Sequence, residues 1–174
     1  QAQLSVRNML GQVLKFKIKG SKVHVKMKYK NKEAGIKNVI LSYRSKVETI
    51  DYPFEYKVTR SGDHYIIDAQ IDMSVLSLEE LFWDVFAVTE KNGEEVRVSA
   101  YWSRWQRLKL LLMNYQCDVD KEHIIFPYST ITCKMAFTYR TRSKYDGFDV
   151  KIKELADFGV YTLLLPYWKK KRVW

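Results

Sequence analysis

Residues 13–29 read VLKFKIKGSKVHVKMKY, and the alternation in them predicts the fold. From residue 22 onward, apolar side chains (Val23, Val25, Met27, Tyr29) alternate with polar ones (Lys22, His24, Lys26, Lys28). A period of two places each set on its own face of a β-strand. With Gly20 and Ser21 between them, residues 13–18 and 22–29 predict a β-hairpin with one buried face and a basic outer face, which also discourages edge-to-edge aggregation.

The chain on the C-terminal side of this hairpin contains further short segments rich in β-formers. They are residues 39–43, 54–59, 64–71, 82–89 and 94–100. The last two flank Asn92-Gly93, the strongest hairpin signal in the chain. Seven strands with turn signals every 8–12 residues or so predict an all-β fold, an immunoglobulin-like antiparallel β-sandwich within residues 1–115. No paired-cysteine signature accompanies it, so the likeness is one of architecture.

Two segments of this region have ambiguous patterns. Residues 73–81 contain Ser77 and Glu80 at the spacing of a capping box, which predicts a short helical crossover. Residues 101–114 fit a helix through Trp102, Trp105 and Leu108, and fit a strand through the alternating leucines from Leu108 onward. We favour the strand for the second segment.

Residues 116–174 are predicted to form a connector. Residues 124–128 and 131–139 predict a β-hairpin that turns at Ser129-Thr130. Residues 150–165 predict a C-terminal amphipathic helix, with Ile152, Leu155 and Phe158 on its apolar side. The chain ends within an aromatic and basic pattern, which predicts that a further domain follows Trp174.

The composition indicates a basic protein that contacts polyanions. The 174 residues carry a formal net charge of +10, and an excess of this size favours nucleic acid, anionic lipid or a phosphate-rich polymer as partner. Cys117 and Cys133 form no disulfide framework, which fits a reducing, cytoplasmic compartment. No signal peptide and no apolar stretch of about 20 residues are visible, so membrane association is expected to be peripheral.

The sequence contains no recognisable catalytic or cofactor site. His24, His64 and His123 are isolated, and none pairs with a cysteine at the spacing of metal ligands. Serine-nucleophile motifs, phosphate-binding loops and dinucleotide fingerprints are absent from the sequence. We therefore expect no catalytic residues, no cofactor and no metal in this chain.

Two clusters of cations with aromatics are candidate binding surfaces. The first is Arg104, Arg107 and Lys109 with Trp102 and Trp105; the second is Arg140, Arg142, Lys144, Tyr167, Trp168, Lys169, Lys170, Lys171 and Arg172. The second suits a linker that docks on the next domain, or an anionic membrane, where each cation contributes about 1 kcal/mol and aromatics lie at headgroup level. Nucleic acid is disfavoured because no known RNA- or DNA-binding motif accompanies either cluster.

The segment 136–174 carries a family resemblance. FTYRTRSKYD, followed by the predicted helix and LLPYWKKKRVW, resembles the segment before the catalytic domain of CDP-glycerol glycerophosphotransferase-like proteins. These are the teichoic-acid polymerases and their relatives in Gram-positive wall and capsule synthesis. The resemblance implies a cytoplasmic, membrane-associated parent transferase. Its catalytic histidines and nucleotide-binding residues would lie beyond Trp174, so none is carried over to this chain.

These observations predict a non-catalytic accessory domain. It would position a teichoic-acid or capsule polymerase at the inner face of the cell membrane, or hold the phosphate-rich polymer, through Arg140, Arg142, Lys144 and the residues from Tyr167 to Arg172. The rival interpretation is a free-standing module that binds carbohydrate or polyanion, with Trp102 and Trp105 as a stacking platform.

Overall fold

The computed structural model describes residues 11–30, 35–113 and 115–142, which contain eleven strands and one α-helix. The strands are β1 (Gly11–Lys19), β2 (Lys22–Lys30), β3 (Asn38–Tyr43), β4 (Asp51–Pro53), β5 (Glu55–Ser61), β6 (His64–Asp72), β7 (Leu81–Lys91), β8 (Glu94–Tyr101), β9 (Cys117–Asp118), β10 (His123–Ser129) and β11 (Met135–Thr141). Helix α1 is Arg104–Leu112. The predicted all-β fold is confirmed, and each of the seven predicted strands is present.

Sheet A is antiparallel and has the strand order β5-β6-β2-β1. Its hairpins close through two-residue turns that begin with a glycine in the left-handed region, Gly20 (φ 62°) and Gly62 (φ 63°). Glycine suits this position because it has no Cβ to clash with the following carbonyl. The inner face of the sheet carries Val25, Met27 and Ile67, all buried.

Sheet B has the order β4-β3-β7-β8, and β7 also pairs with β11, which continues into β10 and β9. The β7–β8 hairpin turns at Asn92 (φ 54°) and Gly93 (φ 79°). Two positive φ values match a type I′ turn, whose twist suits a hairpin. The prediction from the Asn-Gly pair is therefore confirmed.

The core lies between the two sheets. Side chains of β2 and β6 face those of β3, β7 and β11, among them Leu41, Trp83 and Phe137, which are fully buried. The indole N–H of Trp83 donates to the Glu79 carbonyl at 2.9 Å, which satisfies its one polar atom. Residues of the β10–β11 hairpin share this core, so the hairpin belongs to the same packed unit as β1–β8.

The prediction of a purely antiparallel sandwich is wrong at one pair of strands. The start of β1 runs parallel to the end of β8, with Gly11 opposite Ala100 and Gln12 opposite Tyr101. A Cβ at Gly11 would lie 3.2 Å from the Ser99 carbonyl oxygen, so a larger residue here would require the two strands to move apart by a few tenths of an ångström. This pair joins sheets A and B into one mixed, eleven-stranded sheet.

The favoured strand over residues 101–114 is also wrong, because α1 occupies this segment. The hydroxyl of Ser103 accepts from the Gln106 backbone N–H at 3.1 Å, and the Gln106 side chain accepts from the Ser103 N–H at 2.8 Å. This capping box satisfies two helix N-terminal donors and starts the helix. The predicted crossover helix at Ser77 is wrong as well: Asp72 instead caps a single 3-10 turn, Met73–Val75.

The predicted hairpin after residue 115 is confirmed, with its strands at β10 and β11, but the predicted turn at Ser129-Thr130 is wrong. Ser129 is still in β10 and pairs with Met135, and residues 130–134 form the loop, in which the Cys133 backbone N–H donates to the Thr130 carbonyl at 2.9 Å. The predicted C-terminal helix over residues 150–165 lies outside the described residues, and the division of the chain at residue 115 stays a prediction. In the described part of the chain, no helix has the length and apolar character needed to cross a membrane.

Candidate polyanion-binding surface

The outer face of sheet A carries a dense set of lysines. In β2, the buried side chains of Val23, Val25 and Met27 force the residues between them to the opposite face. The strand register places lysines of β1 and β5 on that same face. We call the following eight residues the lysine face: Lys15, Lys17, Lys19, Lys22, Lys26, Lys28, Lys30 and Lys57.

Carboxylates on this face are too few to balance the lysines. Glu55, Asp68 and Asp72 lie on the same face, so eight lysines meet three carboxylates, with a formal excess of five positive charges. Two cross-strand pairs even place lysine directly opposite lysine, Lys15 with Lys26 and Lys19 with Lys22. Like charges in this position destabilise a sheet, so the arrangement costs free energy unless an anion binds.

The carboxylates of the face are also engaged by other groups. Asp68 pairs with His24, Glu55 accepts from the Gln70 amide at 3.1 Å, and Asp72 accepts from the Ser74 backbone N–H at 3.0 Å. The hydrogen bonds from Ser74, together with one from Ser21 and the charge of Lys22, lower the pKa of Asp72.

Few lysines of this face have a carboxylate close enough to form an ion pair. Among residues 11–30, 35–113 and 115–142, no carboxylate lies within 4 Å of the ammonium groups of Lys15, Lys17, Lys19, Lys26 or Lys28. Lys30 is the exception at the edge, 3.5 Å from Asp63. Most ammonium groups of the lysine face are therefore solvated and have no ion-pair partner among the described residues.

The geometry of the face suits an extended anion. Lysines on one strand repeat every second residue, about 6.6 Å apart, and neighbouring strands are about 4.8 Å apart. The two-residue turns at Gly20 and Gly62 keep the ends of the sheet short. Within the described residues, no Trp, Tyr or Phe side chain projects from this face. Contacts with the face are thus electrostatic.

The predicted site residues that the structure describes lie elsewhere. Arg140, on β11 opposite Ile124, holds its guanidinium 5.4 Å from the ring centroid of Phe126. Arg142 follows β11 and donates to the Asp118 carboxylate at 2.6 Å. Both belong to the sheet B side of the molecule. The other predicted site residues, Lys144, Tyr167, Trp168, Lys169, Lys170, Lys171 and Arg172, lie outside the described residues.

The proposed stacking platform of Trp102 and Trp105 is wrong. Trp102 is 5% exposed, and its indole N–H donates to the Tyr128 carbonyl at 3.1 Å, so it is a core residue. Its ring packs edge-on against Phe16, with centroids 5.4 Å apart. Trp105, on the outer side of α1, is 66% exposed. The two rings cannot present one flat surface to a sugar or a base.

Sheet B also carries an open cleft of about 360 Å³, which is lined by Lys37, Asn38, Ile40, Asp51, Pro53, Val88, Glu95 and Arg97. Its charges neutralise one another. Arg97 donates to Asp51 at 2.6 Å and to Ser42 at 3.1 Å, and Lys37 pairs with Glu90. Burial raises the pKa of Asp51, but the bonds from Arg97 and Ser42 outweigh it and keep the pKa low. The cleft therefore presents no unpaired charge to an anion.

A metal site needs several ligand side chains close together, and the reactivity of a buried thiol follows from its surroundings. No group of three or more His, Cys, Asp and Glu side chains in the described ranges is arranged to hold a metal ion. Burial raises the pKa of the Cys117 thiol to about 12, so it is protonated and a poor nucleophile at neutral pH.

Sequence reasoning identified the basic side of residues 13–29 but did not treat it as a site. The available signal was that nearly every polar position of two adjacent strands is lysine. The contribution of Lys57 and the shortage of carboxylates become visible only with the register of β2, β5 and β6.

Comparison with known proteins shows a likeness of fold. No protein-family model and no curated protein matches the chain. Among solved structures, the chain is similar to S. aureus TarS, with a TM-score of 0.55 and 14% identity over 78% of this chain and 25% of TarS. The 217–571 fragment of S. aureus TarS matches with the same TM-score and identity, over 39% of that fragment. The chain therefore spans about a quarter of the length of TarS.

Proposed function

We propose that this chain is a non-catalytic accessory domain that binds a phosphate-rich polymer through its lysine face. The parent protein would be a glycerophosphotransferase-like enzyme of teichoic-acid or capsule synthesis. The observation that carries the proposal is the excess of five positive charges on one open sheet face. The resemblance of residues 136–174 and the fold likeness to part of a Gram-positive protein, S. aureus TarS, support the same setting.

We propose further that β1–β8 form an immunoglobulin-like sandwich. In such domains one sheet has the strand order A-B-E-D, and the other pairs C with F and F with G, with an added C′ strand in some members. The orders β1-β2-β6-β5 and β4-β3-β7-β8 support this assignment. In it, β9–β11 extend the second sheet beyond β7.

A linear phosphodiester polymer fits the face better than a lipid surface does. Two phosphorus atoms joined by six bonds, as across a glycerol unit, lie at most about 7 Å apart, since three backbone bonds span about 3.3–3.6 Å. Lysines of one strand repeat at about 6.6 Å. A lipid surface would favour Trp or Tyr at headgroup level, whereas no Trp, Tyr or Phe of the described residues lies on the lysine face.

The predicted membrane site would act beside this surface. In this proposal the parent enzyme works at the cytoplasmic side of the cell membrane, with Tyr167, Trp168 and the cations from Lys169 to Arg172 at the lipid. The lysine face would then hold the charged polymer close to the missing catalytic domain. Its attraction for the polymer acts over about 8–10 Å at physiological ionic strength.

The test is binding of the full 174-residue chain to poly(glycerol phosphate) at two salt concentrations. A variant with Lys17, Lys26 and Lys28 changed to Gln removes three charges from the lysine face. A matched control changes the exposed lysines Lys46, Lys91 and Lys121 to Gln. We expect the first variant to lose at least tenfold in affinity at low salt and to show a weaker salt dependence, because it releases fewer counterions. The control should remain within about twofold.

Two results would overturn the proposal. Equal losses in both variants would show a response to net charge rather than to this surface. Unchanged binding in the first variant would place the polymer site elsewhere. Parallel measurements with anionic vesicles and with an oligonucleotide distinguish the polymer from lipid and nucleic acid.

A further inference from the structure

The outer side of helix α1 is apolar, although a helix side that faces water is usually polar. Leu110 and Leu111 turn inward and are buried. With about 3.6 residues per turn, Trp105, Lys109 and Leu112 lie along the opposite side of the helix. Trp105 is 66% exposed and Leu112 is 44% exposed. Two of the three residues that point away from the core are therefore large hydrophobic side chains.

Two more exposed hydrophobic side chains lie at the ends of α1. Met113, the residue that ends the helix, is 50% exposed. At the other end, the Trp102 backbone N–H donates to the Cys133 carbonyl at 2.9 Å, which places the loop of residues 130–134 beside the start of the helix. Ile131 in this loop is 84% exposed. We call the following four residues the apolar patch: Trp105, Leu112, Met113 and Ile131.

The outward orientation of α1 is fixed by the fold. The Gln106 side chain donates to the Val13 carbonyl of β1 at 2.7 Å, and it also accepts the helix N-terminal bond from Ser103. The two buried leucines hold the same side of the helix to the domain. Trp105 could turn inward only if these contacts broke. The apolar patch is therefore exposed to a partner without any rearrangement of the helix.

The cations beside the apolar patch have no acidic counterpart nearby in the sequence. Residues 101–113 contain Arg104, Arg107 and Lys109 and no Asp or Glu. Within the described part of the chain, no carboxylate lies within 4 Å of the charged groups of these three residues. We therefore expect a partner that is anionic as well as apolar.

A lipid bilayer with anionic headgroups combines these two properties. Helices that lie in the membrane interface bury Trp and Leu about 5–10 Å deep, while their cations attract anionic lipids. Tryptophan in particular lies at headgroup level. Nucleic acid fits the patch less well, since Leu112, Met113 and Ile131 have no ring to stack on a base.

We infer that the apolar patch docks on an anionic membrane surface. Trp105, Leu112 and Ile131 then lie among the headgroups, and Arg104 and Lys109 contact lipid phosphates. The inference rests on the membrane setting of the proposed function and adds a lipid contact on the folded domain itself. The patch contains no residue of the lysine face, so lipid and polymer have separate binding surfaces.

An environment-sensitive fluorophore on the full chain tests which surface meets the lipid. In a Cys133→Ser background, in which Cys117 is buried, Trp105→Cys is labelled with a nitrobenzoxadiazole reagent. The matched control labels Val47→Cys, an exposed apolar position in the connection between β3 and β4. With vesicles of phosphatidylglycerol and phosphatidylcholine in equal amounts, we expect a blue shift and at least about a twofold gain in emission from the label at residue 105. The label at residue 47 should not change, and vesicles of phosphatidylcholine alone should have a smaller effect.

A second comparison distinguishes this inference from the polymer proposal. Trp105→Ser with Leu112→Ser should lose about tenfold in affinity for the anionic vesicles, because two apolar side chains no longer leave water. It should keep its affinity for poly(glycerol phosphate). The matched control, Val47→Ser with Val75→Ser, removes two exposed apolar side chains elsewhere and should keep both affinities.

Two results would overturn the inference. One is a label at residue 105 that anionic vesicles leave unchanged, and it would leave the polymer proposal standing. The other is a blue shift that grows with protein concentration in the absence of vesicles, which would assign the apolar patch to a second copy of the chain. Failure of the polymer proposal gives a different result, namely unchanged polymer affinity in the lysine-face variant with the fluorescence response intact.

Discussion

Lys15 on β1 and Lys26 on β2 lie directly opposite each other across the hairpin, and Asp68 lies on the other side of Lys26. Lys15 therefore faces a like charge across the ladder, while Lys57 on β5 faces Asp68. Lys15 therefore faces a positive charge and Lys57 faces a negative charge. The same substitution at the two positions compares the effects of a like and an opposite neighbouring charge.

Replacing Lys15 by Gln should stabilise the domain. Removing the like-charge pair is expected to raise the free energy of unfolding by about 0.2–1 kcal/mol at low ionic strength. The gain should shrink in high salt, because exposed charges are screened. Urea denaturation at two salt concentrations measures both effects. Lys57→Gln is the control, and a stabilisation of equal size there would contradict the cross-strand explanation.

The Arg97–Asp51 pair predicts a pH dependence. The hydrogen bonds and charge that hold the pKa of Asp51 below its ordinary value stabilise the fold at neutral pH. A depressed carboxyl pKa contributes stability that is present above the unfolded pKa, about 3.9, and is lost as the pH falls through the folded pKa.

Arg97→Met should therefore lower the free energy of unfolding by about 1 kcal/mol at pH 7, a modest value because both side chains are partly exposed. The difference between wild type and variant should be constant from pH 5 to 8 and should narrow below about pH 4. Unfolding curves across this range measure it. A difference that widens in acid would refute the assignment to Asp51.

The two tryptophans of the α1 region should behave oppositely. Trp102→Phe removes a buried hydrogen bond and leaves a small cavity, so we expect a loss of about 1–3 kcal/mol in the free energy of unfolding. Trp105→Ala, at a largely exposed position, should change stability by less than about 0.5 kcal/mol. Thermal and urea unfolding report both changes. If Trp102→Phe lost carbohydrate binding without losing stability, Trp102 would be a carbohydrate-binding residue and not only a core residue.

Gly93 at the β7–β8 turn should resist substitution for backbone reasons alone. No atom lies within 4 Å of a Cβ built there, but its φ of 79° disfavours any side chain. Gly93→Ala is expected to cost about 1–2 kcal/mol. Gly35→Ala is the control, because Gly35 has equal space and no positive φ, and it should be neutral or slightly stabilising. Equal effects on the melting temperature would contradict this explanation.

Local patterns predicted the strands well because a period of two and an Asn-Gly turn are properties of adjacent residues. The helix at 104–112 was harder, since Leu108, Leu110 and Leu112 fit a strand as well as a helix. The deciding interaction is the reciprocal bonding of Ser103 and Gln106, whose spacing in the sequence is that of a capping box.

Prediction of the lysine face from the sequence needs contacts between residues that are distant in the chain. The lysines of β1 and β2 form an alternating pattern in the sequence, but the addition of Lys57 and the partnership of Asp68 with His24 require the pairing of β2 with β6 and of β6 with β5. The burial of Trp102 depends on contacts with Phe16 and Tyr128, which are distant in sequence. Composition alone could not separate a core tryptophan from a binding one.

The parallel pairing of Gly11 with Ala100 and of Gln12 with Tyr101 has a mechanical consequence. A pulling force between the start of β1 and the end of β8 acts along both strands in opposite directions. It loads their hydrogen bonds together in shear, whereas a hairpin pulled at its open end breaks its bonds one at a time. A domain that holds a growing polymer while tethered to an enzyme would thus resist tension at the seam between its two sheets.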